Sequence, residues 1–146
     1  MRRKEKAAKQ RKEIMKTKGL AKLNDSPSSP RKMRLVIDLI RGQEVNKALA
    51  ILKYLHKDAA RSIEKLLMSA LSNWQAKNEG VRLEDVTLIV KEAFVDQGRT
   101  LKRLRPAPQG RGYRVRKRSN HVTLVLDTVT EVKAEKKVKE KTETKA

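Results

Sequence analysis

Apolar residues between positions 30 and 77 recur at intervals of three and four, the spacing of one face of an α-helix. Ser29 and Pro30 open the first run, because serine can cap free amides and proline suits the first helical position. Gly42 supplies its stop. The pattern therefore predicts three amphipathic helices. Their apolar faces hold Met33, Val36, Ile37 and Ile40 in the first, Val45, Ala48, Leu49 and Leu52 in the second, and Ala59, Ile63, Leu66, Leu67, Ala70, Leu71 and Trp74 in the third.

Beyond Asn78 and Gly80, which are expected to end the third helix, the helical period gives way to alternation. The stretch from Val86 to Val95 reads as a strand that is apolar on both sides. Its predicted faces are Val86, Leu88, Val90 and Phe94 on one side, and Ile89, Ala93 and Val95 on the other. A second strand, His121 to Leu126, places Val122, Leu124 and Leu126 on one face.

These two strands are expected to pair antiparallel, with residues 97–120 connecting them as a hairpin, and residues 20–26 are a candidate third strand. The predicted fold class is α+β: three helices packed on a small antiparallel sheet, with a long protruding β-hairpin. One globular domain, residues 20–127, would carry the hairpin. A basic N-terminal extension, residues 1–19, and a disordered Lys/Glu-rich tail, residues 128–146, would flank it.

The formal net charge of +20 favours a polyanionic partner, nucleic acid first and an anionic membrane surface second. The charge is unevenly placed, because residues 25–98 hold twelve basic and ten acidic side chains. Residues 99–120 hold nine basic side chains and no acidic one. The hairpin is thus a concentrated cationic element on a nearly neutral domain.

The absence of cysteine excludes disulfides, thiolate nucleophiles and cysteine-bound zinc. No apolar run approaches the roughly 18 residues of a membrane-spanning helix, and no secretion signal is apparent, so a cytoplasmic protein without membrane contact is expected. His56 and His121 do not lie in a metal-ligand spacing. Ser119, Asn120 and His121 are consecutive residues of a predicted strand, whose side chains alternate between faces, so they are not interpreted as a nucleophile–base pair. The chain is therefore predicted to be non-enzymatic, with no catalytic residue, metal, cofactor or small-molecule substrate.

The hairpin carries the chemistry, since connections of this length are usually functional or disordered. Arginine outnumbers lysine there by seven to two, and a guanidinium binds phosphate in a fork that an ammonium cannot offer. Structured RNA is therefore the favoured ligand, and a merely solvated basic loop is the alternative. With little apolar surface of its own, the hairpin is expected to be mobile until RNA orders it. Tyr54, Trp74 and Phe94 are assigned to the core, so that only Tyr113 remains to stack on a base and recognition would use backbone and shape.

Three stretches of the chain resemble the large-subunit ribosomal protein twenty-two family, bacterial type, over about Ala21 to Leu126. They are SPRKMRLVIDLIRGQEVNKALAIL, AARSIEKLLMSALSNW and VDQGRTLKRLRPAPQGRGYRVRKRSNHVTLVL. The resemblance implies a structural constituent of the large ribosomal subunit that binds ribosomal RNA, supports subunit assembly and lines the nascent-peptide exit tunnel with its hairpin. The partners it implies are large-subunit ribosomal RNA, neighbouring large-subunit ribosomal proteins and the nascent peptide, and its location would be the ribosome.

The resemblance also assigns residues, position by position. The RNA-binding set is Arg31, Lys32, Arg34, Arg99, Lys102, Arg103, Arg105, Arg111, Tyr113, Arg114, Arg116, Lys117 and Arg118. The tunnel-facing tip is Pro106, Ala107, Pro108, Gln109, Gly110, Arg111 and Gly112. Two other classes of protein are alternatives. A chromatin-like or repressor DNA-binding protein would need a turn followed by a recognition helix, and an RNA-modifying enzyme would need a cluster of polar side chains in a pocket. Neither feature is apparent.

Overall fold

The computed structural model describes residues 18–78, 81, 83 and 86–129, so predictions on residues 1–17, Gly80 and 130–146 lie outside the described residues. Its elements follow in the order β1, α1, α2, α3, β2 and β3. They span Gly19–Ser26 (β1), Pro30–Ile40 (α1), Val45–Tyr54 (α2), Asp58–Lys77 (α3), Leu88–Pro106 (β2) and Gly112–Thr128 (β3). The predicted α+β class is confirmed, including the third strand.

The three strands form one antiparallel sheet in the order β1-β3-β2, so that β3 is central and β2 is an edge strand. The helices cover one face of this sheet. Val122, Leu124 and Leu126 of β3 are fully buried against them, as predicted. Burial of these side chains with those of the helices forms one core, the main source of the domain's stability.

A β-bulge between Val90 and Glu92 changes the predicted faces of β2. The extra residue shifts the alternation, so that Ala93 and Val95 join Val90 on the helix side. Phe94, predicted in the core, instead lies on the side of the sheet that α1, α2 and α3 do not cover, called here the helix-free side, and is 50% exposed. That assignment was wrong because regular alternation assumes a regular strand.

Tyr54 was also assigned wrongly to the core. It is the last residue of α2 and is 78% exposed, whereas Trp74 is buried as predicted. Ser29 occupies the N-cap position of α1, but its side chain makes no capping hydrogen bond. Its carbonyl instead accepts from the amides of Lys32 and Met33. Gly42, with a φ of +76°, follows the helix end as expected.

The outer edge of β2 is covered by α1 and the turn that follows it. The Arg34 guanidinium donates to the carbonyl of Val95, and that of Arg41 donates to the carbonyl of Ala93. Past the helix end, the Gly42 amide donates to the Val90 carbonyl at 2.8 Å. Unpaired strand edges invite association with other chains, and these bonds satisfy the core half of this edge.

A buried ion cluster fastens the start of β1 to the end of β3. Asp127 is 2% exposed and lies 3.0 Å from the Nζ of Lys18 and 2.9 Å from that of Lys91. The Lys18 carbonyl in turn accepts a hydrogen bond from Lys77 of α3 at 2.9 Å. A carboxylate taken out of water this far is costly unless it is paired, and two ammonium groups pair it.

Candidate RNA interface

Beyond the core, β2 and β3 continue together as a two-stranded hairpin. Their pairing runs without interruption from Thr100 opposite Arg118 to Pro106 opposite Gly112. Every residue from 101 to 118 is exposed except Ala107, which is half-buried. At roughly 3.3 Å per residue, this part extends on the order of 20 Å from the domain.

The tip of the hairpin is a tight turn from Pro108 to Arg111. Gln109 and Gly110 have φ values of 63° and 71°, the two positive values that a type I′ hairpin turn requires. The Ala107 amide donates to the Arg111 carbonyl at 2.8 Å and closes the turn. Pro106 therefore precedes the turn and Pro108 is its first residue, and neither proline occupies one of the two left-handed positions.

The base of the hairpin is a second bulge, where two residues of β2, Gly98 and Arg99, lie opposite Ser119. The Ser119 hydroxyl donates to the Arg99 carbonyl at 2.7 Å. A Cβ atom on Gly98 would lie 2.6 Å from the Ser119 Oγ and 3.1 Å from the Nε2 of His121, so glycine is required for this approach. Hydrogen bonding and close packing thus fix the base where the hairpin leaves the sheet.

Asn120, next to the bulge, ties the hairpin base to the start of α1. The side chain is fully buried, and its Nδ2 donates to the Ser28 carbonyl at 2.7 Å. Asn120 lies on the same side of β3 as Val122, because alternate residues of a strand share a face. The helix-side face of the hairpin therefore continues from the core face of the sheet.

A basic groove of about 840 Å³ lies between the hairpin base and the start of α1. It is lined by Pro27, Ser29, Pro30, Arg31, Arg34, Gln97, Arg116, Lys117 and Arg118. Five of these side chains are cations, and the groove lies at the N-terminus of α1, where the helix dipole also favours an anion. The fold thus brings the α1 cations together with those of the hairpin base, which sequence spacing alone did not show.

The predicted RNA-binding residues are accessible, and one of them, Arg34, also supports the fold. Arg31 and Lys32 are exposed on α1, and so are all nine Lys and Arg side chains of the hairpin. Arg34 lines the groove but is bonded to Val95, so part of its donor capacity supports the fold. Arg118 donates to the Oε1 of Gln97 at 3.2 Å across the hairpin base.

The chemistry of the surface is that of phosphate binding. Within the described residues no cluster of His, Cys, Asp or Glu could hold a metal ion. Among the same residues, no helix is long and apolar enough to cross a bilayer. What the hairpin and groove offer is a row of guanidinium and ammonium donors with no carboxylate between them, the arrangement that neutralises a nucleic-acid backbone.

Comparison with known proteins points to one family. Residues 21–127 match the family model described as ribosomal protein L22p/L17e. A protein of Christiangramia forsetii is 62% identical over 124 residues, covering 85% of this chain and 92% of that protein. One of Bacteroides fragilis is 60% identical over 126 residues, covering 86% and 92%. One of Flavobacterium psychrophilum is 54% identical over 132 residues, covering 90% and 96%. All three are named large ribosomal subunit protein uL22.

Proposed function

This chain belongs to the ribosomal protein L22p/L17e family, and from that premise we propose that its hairpin and basic groove bind large-subunit ribosomal RNA. Membership makes the chain a structural, non-enzymatic constituent of the large ribosomal subunit and agrees with the expected location in the ribosome. The RNA-binding residues proposed are those named from the sequence, from Arg31 on α1 to Arg118 at the hairpin base.

The observation that carries the proposal is the separation of charge from fold. The nine cations of the hairpin are exposed, and none of its side chains between residues 101 and 118 belongs to the core. Like charges held this close repel one another, and phosphate relieves the repulsion while releasing condensed counterions. The nine cations destabilise the free protein by repulsion and contribute nothing to its core. Binding to RNA explains why the hairpin carries them.

The shape of the chain suggests how the hairpin and the globular part are placed in the large subunit. The hairpin projects from the globular domain, and the domain also binds RNA at the α1 groove. The chain therefore contacts separate RNA segments at once, which supports assembly of the large subunit. We propose that the turn from Pro108 to Arg111 faces the nascent-peptide exit tunnel and meets the passing peptide, with neighbouring ribosomal proteins against the globular part. The support for this placement is the family resemblance together with the exposed, tightly closed tip.

The test measures binding of the full-length chain to large-subunit ribosomal RNA fragments across a series of salt concentrations. We expect log affinity to fall linearly with log salt, by about 0.7 to 0.9 per neutralised phosphate. A variant lacking residues 101–117 should bind more weakly and with a shallower slope. Affinity that is independent of salt would contradict the proposal. Equal affinity for duplex DNA would favour the chromatin-like alternative, and crosslinking from residue 109 in assembled subunits tests the tunnel placement.

A further inference from the structure

The register of the hairpin sorts its side chains onto two faces of different chemistry. Residues directly opposite each other on paired strands share a face, and successive residues alternate between faces. Because Asn120 and Val122 face the helices, the even-numbered residues of β3 define the helix-side face of the hairpin. The odd-numbered residues of β3 define the helix-free face.

The helix-side face is dominated by cations. Its cross-strand pairs are Thr100 with Arg118, Lys102 with Arg116, and Leu104 with Arg114. Lys102 and Arg116 are like charges placed directly opposite each other, an arrangement that destabilises a free hairpin. Arg116 and Arg118 line the groove beside Arg31, together with Lys117 of the other face, so at its base the helix-side face continues into the basic surface of the domain.

The helix-free face has a different and regular composition, because every cross-strand pair joins one cation to one apolar or aromatic side chain. The pairs are Leu101 with Lys117, Arg103 with Val115, and Arg105 with Tyr113. Tyr113 is 66% exposed, Leu101 49% and Val115 38%. Phe94, the residue displaced from the core by the first bulge, lies on the same side of the sheet, opposite Thr123.

We propose that the hairpin binds RNA with both faces at once, the helix-side face holding phosphates and the helix-free face stacking on unpaired bases. The inference rests on the proposed function and names which RNA chemistry each face takes. Exposed apolar side chains gain nothing from phosphate, whereas an unpaired base offers an apolar π-face. An arginine beside a tyrosine, as Arg105 is beside Tyr113, presents two flat groups that stack on bases. The proposal adds base stacking to the recognition through backbone and shape that the few aromatic residues predict.

The experiment compares two ribosomal RNA fragments, one a perfect duplex and one of equal length with an unpaired internal loop. The stacking variant is Leu101→Ser with Tyr113→Ser, which leaves every charge in place. The control is Leu104→Ser, an apolar residue on the other face that is 75% exposed and therefore at least as accessible as Leu101 and Tyr113. The phosphate variant is Lys102→Gln with Arg116→Gln. All five positions are exposed, and circular dichroism checks that each variant keeps the wild-type fold.

We expect the stacking variant to lose roughly tenfold in affinity for the looped RNA, the loss of about one stacked base, with no loss for the duplex and an unchanged salt slope. The phosphate variant should weaken binding to both RNAs and flatten the slope by roughly 1.4 to 1.8. Equal losses on loop and duplex for the stacking variant, or a Leu104→Ser loss of the same size, would overturn the two-face assignment while leaving RNA binding intact. If the wild-type protein binds neither RNA fragment, the proposed function itself is contradicted.

Discussion

Arg34 and Val95 are joined by two hydrogen bonds to a single carbonyl oxygen, at 3.3 Å from Nε and 2.9 Å from Nη2. The bonds connect the second turn of α1 to the strand that becomes the hairpin. Arg41, two turns further along the helix, repeats the contact on the Ala93 carbonyl. Helix α1 therefore holds the hairpin-bearing strand from outside the sheet, at the edge where no other strand pairs with it.

Replacing Arg34 with alanine should lower the free energy of unfolding by about 1–2 kcal/mol, since hydrogen bonds from a charged donor are lost and a carbonyl is left without them. The measurement is urea denaturation followed by circular dichroism. Arg31→Ala is the control on the same helix, and its exposed side chain should change stability by less than about 0.5 kcal/mol while weakening RNA binding. If both variants unfold at the wild-type urea concentration, Arg34 does not support the strand.

Replacing Asp127 with asparagine should lower the free energy of unfolding by about 3 kcal/mol. The substitution keeps the size of the side chain but leaves the buried ammonium of Lys18 without its counter-charge. Asp96→Asn removes an exposed carboxylate from the neighbouring strand and should be nearly neutral. Thermal and urea unfolding of the two variants should differ clearly, and equal stabilities would show that the cluster contributes little.

Replacing Gly98 with alanine should destabilise the hairpin base by about 1–3 kcal/mol, because the new methyl group would collide with the Ser119 hydroxyl. Gly112→Ala is the control within the same hairpin, since its Cβ would meet only the Leu104 Cδ2 at 3.9 Å. Amide hydrogen exchange across residues 97–100 and 118–121 reports the local effect. Protection unchanged in Gly98→Ala would mean that the bulge relaxes without cost.

Deleting residues 101–117 and joining the strands with Asn-Gly should leave a domain that unfolds cooperatively near the wild-type temperature. None of the deleted side chains belongs to the core, whose burial supplies most of the stability. Calorimetry and the fluorescence of buried Trp74 follow the transition. A broad transition without cooperativity would show that the hairpin is part of the folding unit and not an appendage.

The helices and the hairpin were predictable because their signals are local. Helical spacing placed the buried faces of α1 and α3, and Gly42 marked a real helix end with a positive φ. The cations of the hairpin were predictable from charge, and pairing of the flanking strands followed from alternation. These features depend on residues close together in sequence.

The misassigned residues depend instead on tertiary packing. Phe94 was misplaced because a bulge inserts one residue, and single-sequence alternation carries no sign of where a ladder slips. The bonds of Arg34 and Arg41 to strand carbonyls join residues 61 and 52 positions apart, a pairing that spacing cannot reveal. The basic groove is likewise formed by two distant segments that only the fold brings together.

The pairing of Gly19 with Leu126 sets an order of events during synthesis. The hairpin strands are joined by a short turn and can pair as soon as they emerge, because closing a short loop costs little entropy. Strand β1 and the helices are made first, yet they have no central strand to join until β3 exists. Both strands of the cationic hairpin are therefore available before the sheet closes, so RNA that orders the hairpin can be engaged while the globular part is still folding.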